Sequence, residues 1–316
     1  MSDNRVAREV RERLKGPVVA MTTHFHDDYS LDLDAVKRLT EFYIEEKVPT
    51  VIATGSTGEY GALTDEERKA VQKTVIDTAQ GSGMTVIAGV SDMASLKCIE
   101  LAKYAEGAGA DGVMLTPPLA ATNGGGLPVL QKHYDVVSRA TNIGIVIYFS
   151  GAVMWQVQDI IANPEKLEDL VDACNGNCGA FKDASGNFGF YREVSLNLGD
   201  RISVMGSAGM NYYFWGQRFG SRCCLTGLGN IWPRVEIEFC DLMDEGDCDA
   251  AQKIVNEKDL PYLAVCKETK RYWACVKALQ EMVGLPGGPM RPPLLDCTPE
   301  QRKALRRVCT DAGLME

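Results

Sequence analysis

The sequence predicts an α/β protein: a closed (β/α)8 TIM barrel followed by a C-terminal helical domain. Short segments that are apolar on both faces alternate with amphipathic helical segments, at a period of about 30 residues that matches a β-α-β unit. The alternation continues through eight units, and no G-x-G-x-x-G motif of an open doubly wound sheet follows the first strand. We therefore expect residues 1–233 to form the barrel and residues 234–316 the helical domain.

The eight predicted strands are short runs rich in Val, Ile and Ala. In chain order they are Gly16–Thr22, Thr50–Thr54, Thr85–Gly89, Gly112–Thr116, Gly144–Tyr148, Gly179–Asp183, Ile202–Gly206 and Cys224–Gly227. Residues 1–15 are interpreted as a polar leader. Helices are expected over residues 32–46, after the capping box at Thr64, and near residues 94–108 and 129–140.

From about Arg234 the pattern changes to helices alone. We expect helices near residues 235–245, 250–256 and 261–283, and a last one opened by Thr298. The Gly- and Pro-rich residues 284–289 break the helices, and Pro292-Pro293 holds the next segment extended. Gly124-Gly125-Gly126 is interpreted as a loop before a helix, because it lacks the Lys-Ser/Thr of a phosphate-binding P-loop.

Composition excludes several classes of function. The 316 residues carry 33 Lys+Arg against 43 Asp+Glu, a formal charge of -10, which repels nucleic acid and anionic membranes. The 11 cysteines are scattered without a CxxC pair or Cys/His cluster, so we interpret them as reduced, mostly buried thiols and expect no metal site. No apolar signal core or membrane-length run is present, and the cytoplasm is the default expectation.

The active site of such a barrel lies at the C-terminal ends of the strands, and Lys182 ends the sixth. A desolvated lysine has a lowered pKa, and its neutral amine condenses with ketones to a Schiff base. The alternative is a strand-end lysine paired with Asp183. Tyr148 precedes Lys182 by about one repeat, so the two should lie at similar height on neighbouring strands, where a phenol could act as acid and base. The alternative for Tyr148 is a hydroxyl bonded to the backbone.

Other strand ends supply candidate binding groups. The turn Gly55-Ser56-Thr57-Gly58 offers backbone N–H groups and two hydroxyls suited to a carboxylate, although an ordinary tight turn would look the same. Glu59 is expected to hold that loop in place. Gly206, Ser207 and residues 227–230 end strands seven and eight, and Ser207 and Asn230 are candidates for contacting a polyhydroxylated substrate. His24 is interpreted as a loop histidine.

The run Gly55–Glu59, Tyr148, and Phe181-Lys182-Asp183 followed by Gly186 resemble the dihydrodipicolinate synthase and N-acetylneuraminate lyase family over almost the whole chain. The resemblance implies that Lys182 forms a Schiff base, that Tyr148 is the acid/base residue, and that Ser56 and Thr57 bind the carboxylate of pyruvate or another 2-oxo acid. It also implies a homotetramer of barrels. No metal or other cofactor is expected, because a protonated imine is itself the electrophile.

Two departures argue against 4-hydroxy-tetrahydrodipicolinate synthase. The segment 148–153 reads Tyr-Phe-Ser-Gly-Ala-Val, without the arginine that holds the second substrate's carboxylate in that enzyme, and Thr116-Pro117-Pro118-Leu119 lacks the tyrosine of its proton relay. Residues 22–25 and 288–294 are instead similar to the 5-dehydro-4-deoxyglucarate dehydratase and 2-keto-3-deoxy sugar acid lyase branch. We expect a Schiff-base lyase that cleaves or dehydrates a 2-keto-3-deoxy sugar acid, with a non-catalytic 2-oxo acid-binding relative as the alternative.

Overall fold

Eight parallel strands close into a barrel in the order of the sequence, as predicted. The structure is a computed structural model that describes residues 5–118, 126–207 and 209–316. The strands are β1 Gly16–Ala20, β2 Thr50–Ala53, β3 Thr85–Gly89, β4 Gly112–Leu115, β5 Ile145–Phe149, β6 Cys178–Asp183, β7 Ser203–Gly206 and β8 Cys223–Cys224. Leu119 and Gly124-Gly125, named above, lie outside the described residues.

Helices cover the outside of the barrel. They are α1 Arg5–Arg13, α2 Leu33–Glu45, α3 Asp65–Ala79, α4 Ser95–Ala108, α5 Gly126–Ala140, α6 Gln158–Ala162, α7 Lys166–Ala173, α8 Phe188–Leu198, α9 Met210–Gly216 and α10 Pro233–Glu245. The capping box predicted at Thr64 is present, with its hydroxyl accepting from Glu67 N. Strand side chains alternate, so outward residues pack under these helices while inward residues fill the lumen.

Within the predicted polar leader, Arg5–Arg13 instead form an amphipathic helix that closes one end of the barrel, and the prediction was wrong there. Val10 of α1 and the following Leu14 are fully buried in the lumen cluster. A Cβ at Gly144 would lie 2.3 Å from Val10 Cγ2, and one at Gly179 would lie 2.5 Å from Ala7 O. Glycines at the strand starts therefore let α1 approach the N-terminal end of the barrel, leaving the other end for the site.

The tail is helical, as expected, but it contains one more break than predicted. The helices are α11 Cys248–Ile254, α12 Leu260–Thr269, α13 Tyr272–Met282 and α14 Pro299–Asp311, with a π-helical turn Val255–Asp259 joining α11 to α12. The predicted single helix over 261–283 is wrong, because Lys270 adopts a φ of 54° and ends α12. The domain boundary between residues 233 and 234 stays a prediction.

All 11 cysteines are free thiols, and all but Cys248 and Cys297 are buried. Across the described ranges, no helix is long and apolar enough to cross a membrane.

Candidate active site

Lys182 and Tyr148 lie side by side at the C-terminal end of the barrel. The two residues are direct partners in the β5–β6 register, which confirms the predicted placement on neighbouring strands. Both side chains point into the lumen, and Lys182 Nζ lies 4.1 Å from the centroid of the Tyr148 ring. The ammonium therefore faces an aromatic π system, and no carboxylate of the described residues forms an ion pair with it.

Burial makes Lys182 a weak base. Its side chain is only 5% exposed, and desolvation lowers the pKa of the amine to about 7. The alternative reading, a lysine paired with Asp183, does not fit the geometry. Asp183 Oδ1 accepts a hydrogen bond from Ser185 N, its Oδ2 has no described partner, and burial raises the pKa of this carboxyl to about 6. Adjacent residues of a strand point to opposite faces, so the carboxyl points away from the lumen.

Tyr148 is held as a neutral phenol. Burial raises the pKa of its hydroxyl to about 12, and a hydrogen bond with the Ser56 side chain partly opposes that rise. A phenol in this state is protonated at neutral pH and can donate to an oxygen beside Lys182. The contact with Ser56 also joins Tyr148 to the turn after β2.

The turn after β2 places two hydroxyls in the cavity. The chain turns at Thr54, whose φ of 52° is unusual for a β-branched residue. Its hydroxyl donates to Gly89 O at 3.1 Å and accepts from Gln72 Nε2 at 2.8 Å, which holds the strained backbone in place. Ser56 and Thr57 follow and line the cavity.

The predicted glycines lie beside the cavity without lining it. Gly55 packs against Met114, and a Cβ at Gly58 would lie 3.1 Å from Met21 O, so the packing at both positions is close. A Cβ at Gly206 would lie 3.1 Å from the Tyr212 side chain. Ser207 does line the cavity, where its hydroxyl donates to Asp183 O at 2.9 Å.

The cavity has a volume of about 340 Å³ and is rich in hydroxyl groups. Ser150 Oγ is buried and has no protein partner among the described residues, so it is available to a ligand. The Thr226 side chain also lines the cavity and lies beside the buried Glu236 carboxyl. Asn230 also lines the cavity, and its Oδ1 accepts a hydrogen bond from Tyr43 at 3.1 Å. Of the described lining residues, Lys182 alone carries a charged side chain.

One wall of the cavity comes from the helical tail, which sequence reasoning missed. Leu263 of α12 and Tyr272 and Trp273 of α13 line it opposite the barrel strands. The end of α12 at Lys270 brings Tyr272 and Trp273 to the cavity. Helices commonly end at a glycine in the left-handed conformation, but here a lysine adopts it, so the sequence does not indicate the break.

Glu59 fixes the turn to the tail, as expected from the sequence. Its carboxylate pairs with Lys277 Nζ at 2.5 Å and accepts from Arg291 N at 3.0 Å. The Arg291 side chain in turn pairs with Glu67 at 2.6 Å. His24 is likewise structural, because its Nδ1 lies 2.7 Å from Gly287 O, and burial lowers the pKa of its ring to about 4.

Comparison with known proteins indicates which class of enzyme this barrel is similar to. A protein named "probable 5-dehydro-4-deoxyglucarate dehydratase" from Methylobacterium radiotolerans is 29% identical over 294 residues, 92% of each chain. One of the same name from Rhizobium meliloti is 29% identical over 306 residues, 94% of this chain and 96% of the relative. A crystal structure described as dihydrodipicolinate synthase superposes with a TM-score of 0.83 at 28% identity, over 96% of this chain and 100% of the other.

These matches define an enzyme of the lyase class on a TIM barrel. The sequence model of the dihydrodipicolinate synthetase family matches residues 13–312, and the chain belongs to that family. The resemblance found in the sequence is thereby confirmed. No three His, Cys, Asp or Glu side chains within the described ranges are grouped to hold a metal ion.

Proposed function

We propose that the protein is a class I lyase in which Lys182 forms a Schiff base with pyruvate or a related 2-oxo acid, and that its substrate is a 2-keto-3-deoxy sugar acid. The observation that carries the proposal is the buried amine of Lys182, which lies against Tyr148 without a counterion. A pKa of about 7 leaves roughly half of this amine neutral at pH 7, against less than about one part in a thousand for an ordinary lysine.

In the proposed reaction the neutral amine attacks the ketone carbon and the Tyr148 hydroxyl protonates the resulting carbinolamine oxygen. A proton from the attached nitrogen, passed on by Tyr148, then lets that oxygen leave as water, so a protonated imine remains on Lys182 and Tyr148 is left as a phenolate. The imine withdraws electrons from the substrate, so the adjacent CH₂ becomes acidic. In a dehydration the Tyr148 phenolate takes that proton and returns it to the neighbouring hydroxyl, which leaves as water. In a C–C cleavage the phenolate instead takes the proton of that hydroxyl, the bond between its carbon and the CH₂ breaks, and an aldehyde is released. Hydrolysis of the imine by water then frees the product from Lys182.

The cavity lining supports a polyhydroxylated 2-oxo acid. Ser56 and Thr57 lie on the same turn beside Tyr148, and we assign them to the carboxylate next to the ketone. The unpartnered hydroxyl of Ser150 suits a hydroxyl group further along the substrate, and Thr226 lines the same cavity. The dehydratase name of the relatives supports the same substrate class and favours dehydration over C–C cleavage.

Trapping with borohydride tests the imine. The protein is incubated with pyruvate, reduced with borohydride, and its intact mass is measured. We expect one reduced pyruvyl group per chain in the native protein and none in Lys182→Ala. A native protein without an adduct, or an adduct that persists in Lys182→Ala, would overturn the assignment.

Turnover tests the substrate class. Incubation with 5-dehydro-4-deoxyglucarate and with 2-keto-3-deoxygluconate, followed by product mass, should show loss of water or release of an aldehyde. An adduct that forms without turnover of either compound would leave the imine standing and refute the substrate class.

Membership of the family also supports a homotetramer and a cytoplasmic location. Sedimentation velocity is the measurement for the first, with a tetramer as the expected mass. Fractionation of cells of the source organism is the measurement for the second.

A further inference from the structure

Four thiols meet where α12, α13 and α14 pack together, away from the catalytic cavity. Cys266, Cys275 and Cys309 lie on these three helices, and Cys297 directly precedes the N-cap of α14. The sulfur atoms of Cys275 and Cys297 are 3.7 Å apart. The cluster plays no part in the proposed reaction.

The two close thiols differ in exposure and in ionisation. Cys297 is half-buried, whereas Cys275 is fully buried. Cys275 Sγ accepts a hydrogen bond from the Cys297 thiol and lies 3.1 Å from Thr269 Oγ1. Hydrogen bonds with the Cys266 and Cys297 thiols lower the pKa of the Cys275 thiol, because they stabilise its thiolate. The same hydrogen bond, together with burial, raises the pKa of the Cys297 thiol. The pair therefore combines a thiol that solvent can reach with a buried neighbour whose thiolate is stabilised.

We propose that Cys275 and Cys297 are an oxidisable dithiol that a peroxide converts to an intrachain disulfide. The Cys297 sulfur attacks one peroxide oxygen, the O–O bond breaks, and hydrogen peroxide leaves a sulfenic acid on Cys297 and one water. The Cys275 sulfur then attacks the Cys297 sulfur, the S–O bond breaks, and the hydroxide leaves as a second water with the remaining thiol proton. Two thiols and one peroxide thus become one disulfide and two waters.

The local packing permits the bond. A disulfide is about 2.05 Å long, so the sulfurs must approach by less than about 2 Å. Cys297 lies outside any helix, in the segment 284–298 between α13 and α14. A second cavity of about 390 Å³ lies between that segment and the start of α13, where Met290, Pro293 and Leu294 face Tyr272 and Trp273. The segment thus has space beside it in which to shift.

Peptide mapping tests the proposal on the full chain. The reduced protein is treated with hydrogen peroxide, remaining thiols are alkylated, and the protein is digested with trypsin without reductant. Lys277 separates the two cysteines, so the disulfide joins peptide 272–277 to peptide 278–302, whereas Cys266 falls in peptide 259–267. We expect the 272–277 and 278–302 pair to appear on oxidation, and dithiothreitol to abolish it.

Variants separate this bond from non-specific oxidation. Cys297→Ala should eliminate the linked pair, whereas Cys248→Ala, which removes the other half-buried thiol, should leave it unchanged. The proposal is overturned if native protein shows Cys297 oxidised to sulfinic acid without a link, if Cys275 links to Cys266 instead, or if peroxide leaves all thiols open to alkylation. The native digest decides without any variant, so a misfolded variant does not affect the outcome.

Discussion

Two lysines are buried among the residues that the structure describes, and they differ in whether a carboxylate faces them. Lys182 is 5% exposed and Lys277 is 2% exposed, and burial lowers the pKa of both amines. Lys277 faces the Glu59 carboxylate at 2.5 Å and donates to Pro289 O at 2.9 Å. Lys182 faces the Tyr148 ring. Desolvation is common to both sites, and only Lys277 has a counterion.

The comparison separates the effect of burial from the effect of a counterion. A carboxylate at ion-pair distance keeps an ammonium charged and fixed, so Lys277 serves to join the β2 turn to the tail. An amine without such a partner loses its proton more easily and can attack a carbonyl. The following predictions test this division of roles, in order of decreasing effect.

Lys182→Met replaces the amine by an apolar side chain of similar length. We expect turnover to fall by about 10⁴-fold or more, because the nucleophile is lost. Thermal stability should stay equal or rise, since the variant no longer buries an unpaired charge. Steady-state kinetics and differential scanning calorimetry measure the two effects. A clear loss of stability would show that Lys182 also has a structural role.

Tyr148→Phe removes the hydroxyl but keeps the ring that faces Lys182. We expect turnover to fall by about 10³-fold, within the usual range for a general acid, while the borohydride adduct still forms at a reduced rate. Tyr272→Phe is the matched control, because Tyr272 also lines the cavity but has no assigned proton transfer. Equal losses in both variants would contradict the role given to Tyr148.

Lys277→Met leaves the Glu59 carboxylate buried without its ion-pair partner. We expect the free energy of unfolding to fall by about 3 kcal/mol, measured by urea denaturation. The borohydride adduct on Lys182 should still form in the folded variant. Adding Glu59→Gln should recover part of the loss, because the unpaired charge is then removed as well. If stability does not recover, the loss in free energy of unfolding comes from altered packing rather than from the unpaired charge.

The pH dependence of imine formation measures the ionisation of the Lys182 amine. With the pKa of Lys182 at about 7, the rate of imine formation with pyruvate should rise about tenfold per pH unit below pH 6 and level off above pH 8. Samples quenched with borohydride at short times give the rate by intact mass. A rate that still rises tenfold between pH 8 and 9 would mean that Lys182 titrates as an ordinary lysine.

The sequence predicts the part of the site that the barrel strands contribute better than the wall that the helical tail contributes. The alternation of strands and helices can be read from short stretches of sequence. The spacing of about one repeat between Tyr148 and Lys182 therefore predicts that they lie side by side, and the β5–β6 pairing agrees. The turn at Ser56 and Thr57 followed from the same rule about strand ends. These conclusions needed no knowledge of how distant segments pack.

The wall depends on contacts between distant parts of the chain, which composition and periodicity do not reveal. Tyr272 and Trp273 line the cavity because α12 ends at Lys270. Lys277 pairs with Glu59, which lies far away in the sequence on the turn after β2. In α1 the signal was present but weak: Val10 and Leu14 lie four residues apart, which places both on one helical face.

The break at Lys270 has a consequence for engineering. The groups assigned to imine chemistry come from β5 and β6, whereas the opposing wall comes from α12 and α13. The groups assigned to the imine and the opposing wall are thus encoded in separate stretches of the sequence. Exchanging residues 260–273 with those of a relative would change the wall while leaving Lys182 and the barrel hydroxyls in place, and a fragment that stops at residue 233 would carry Lys182 without that wall.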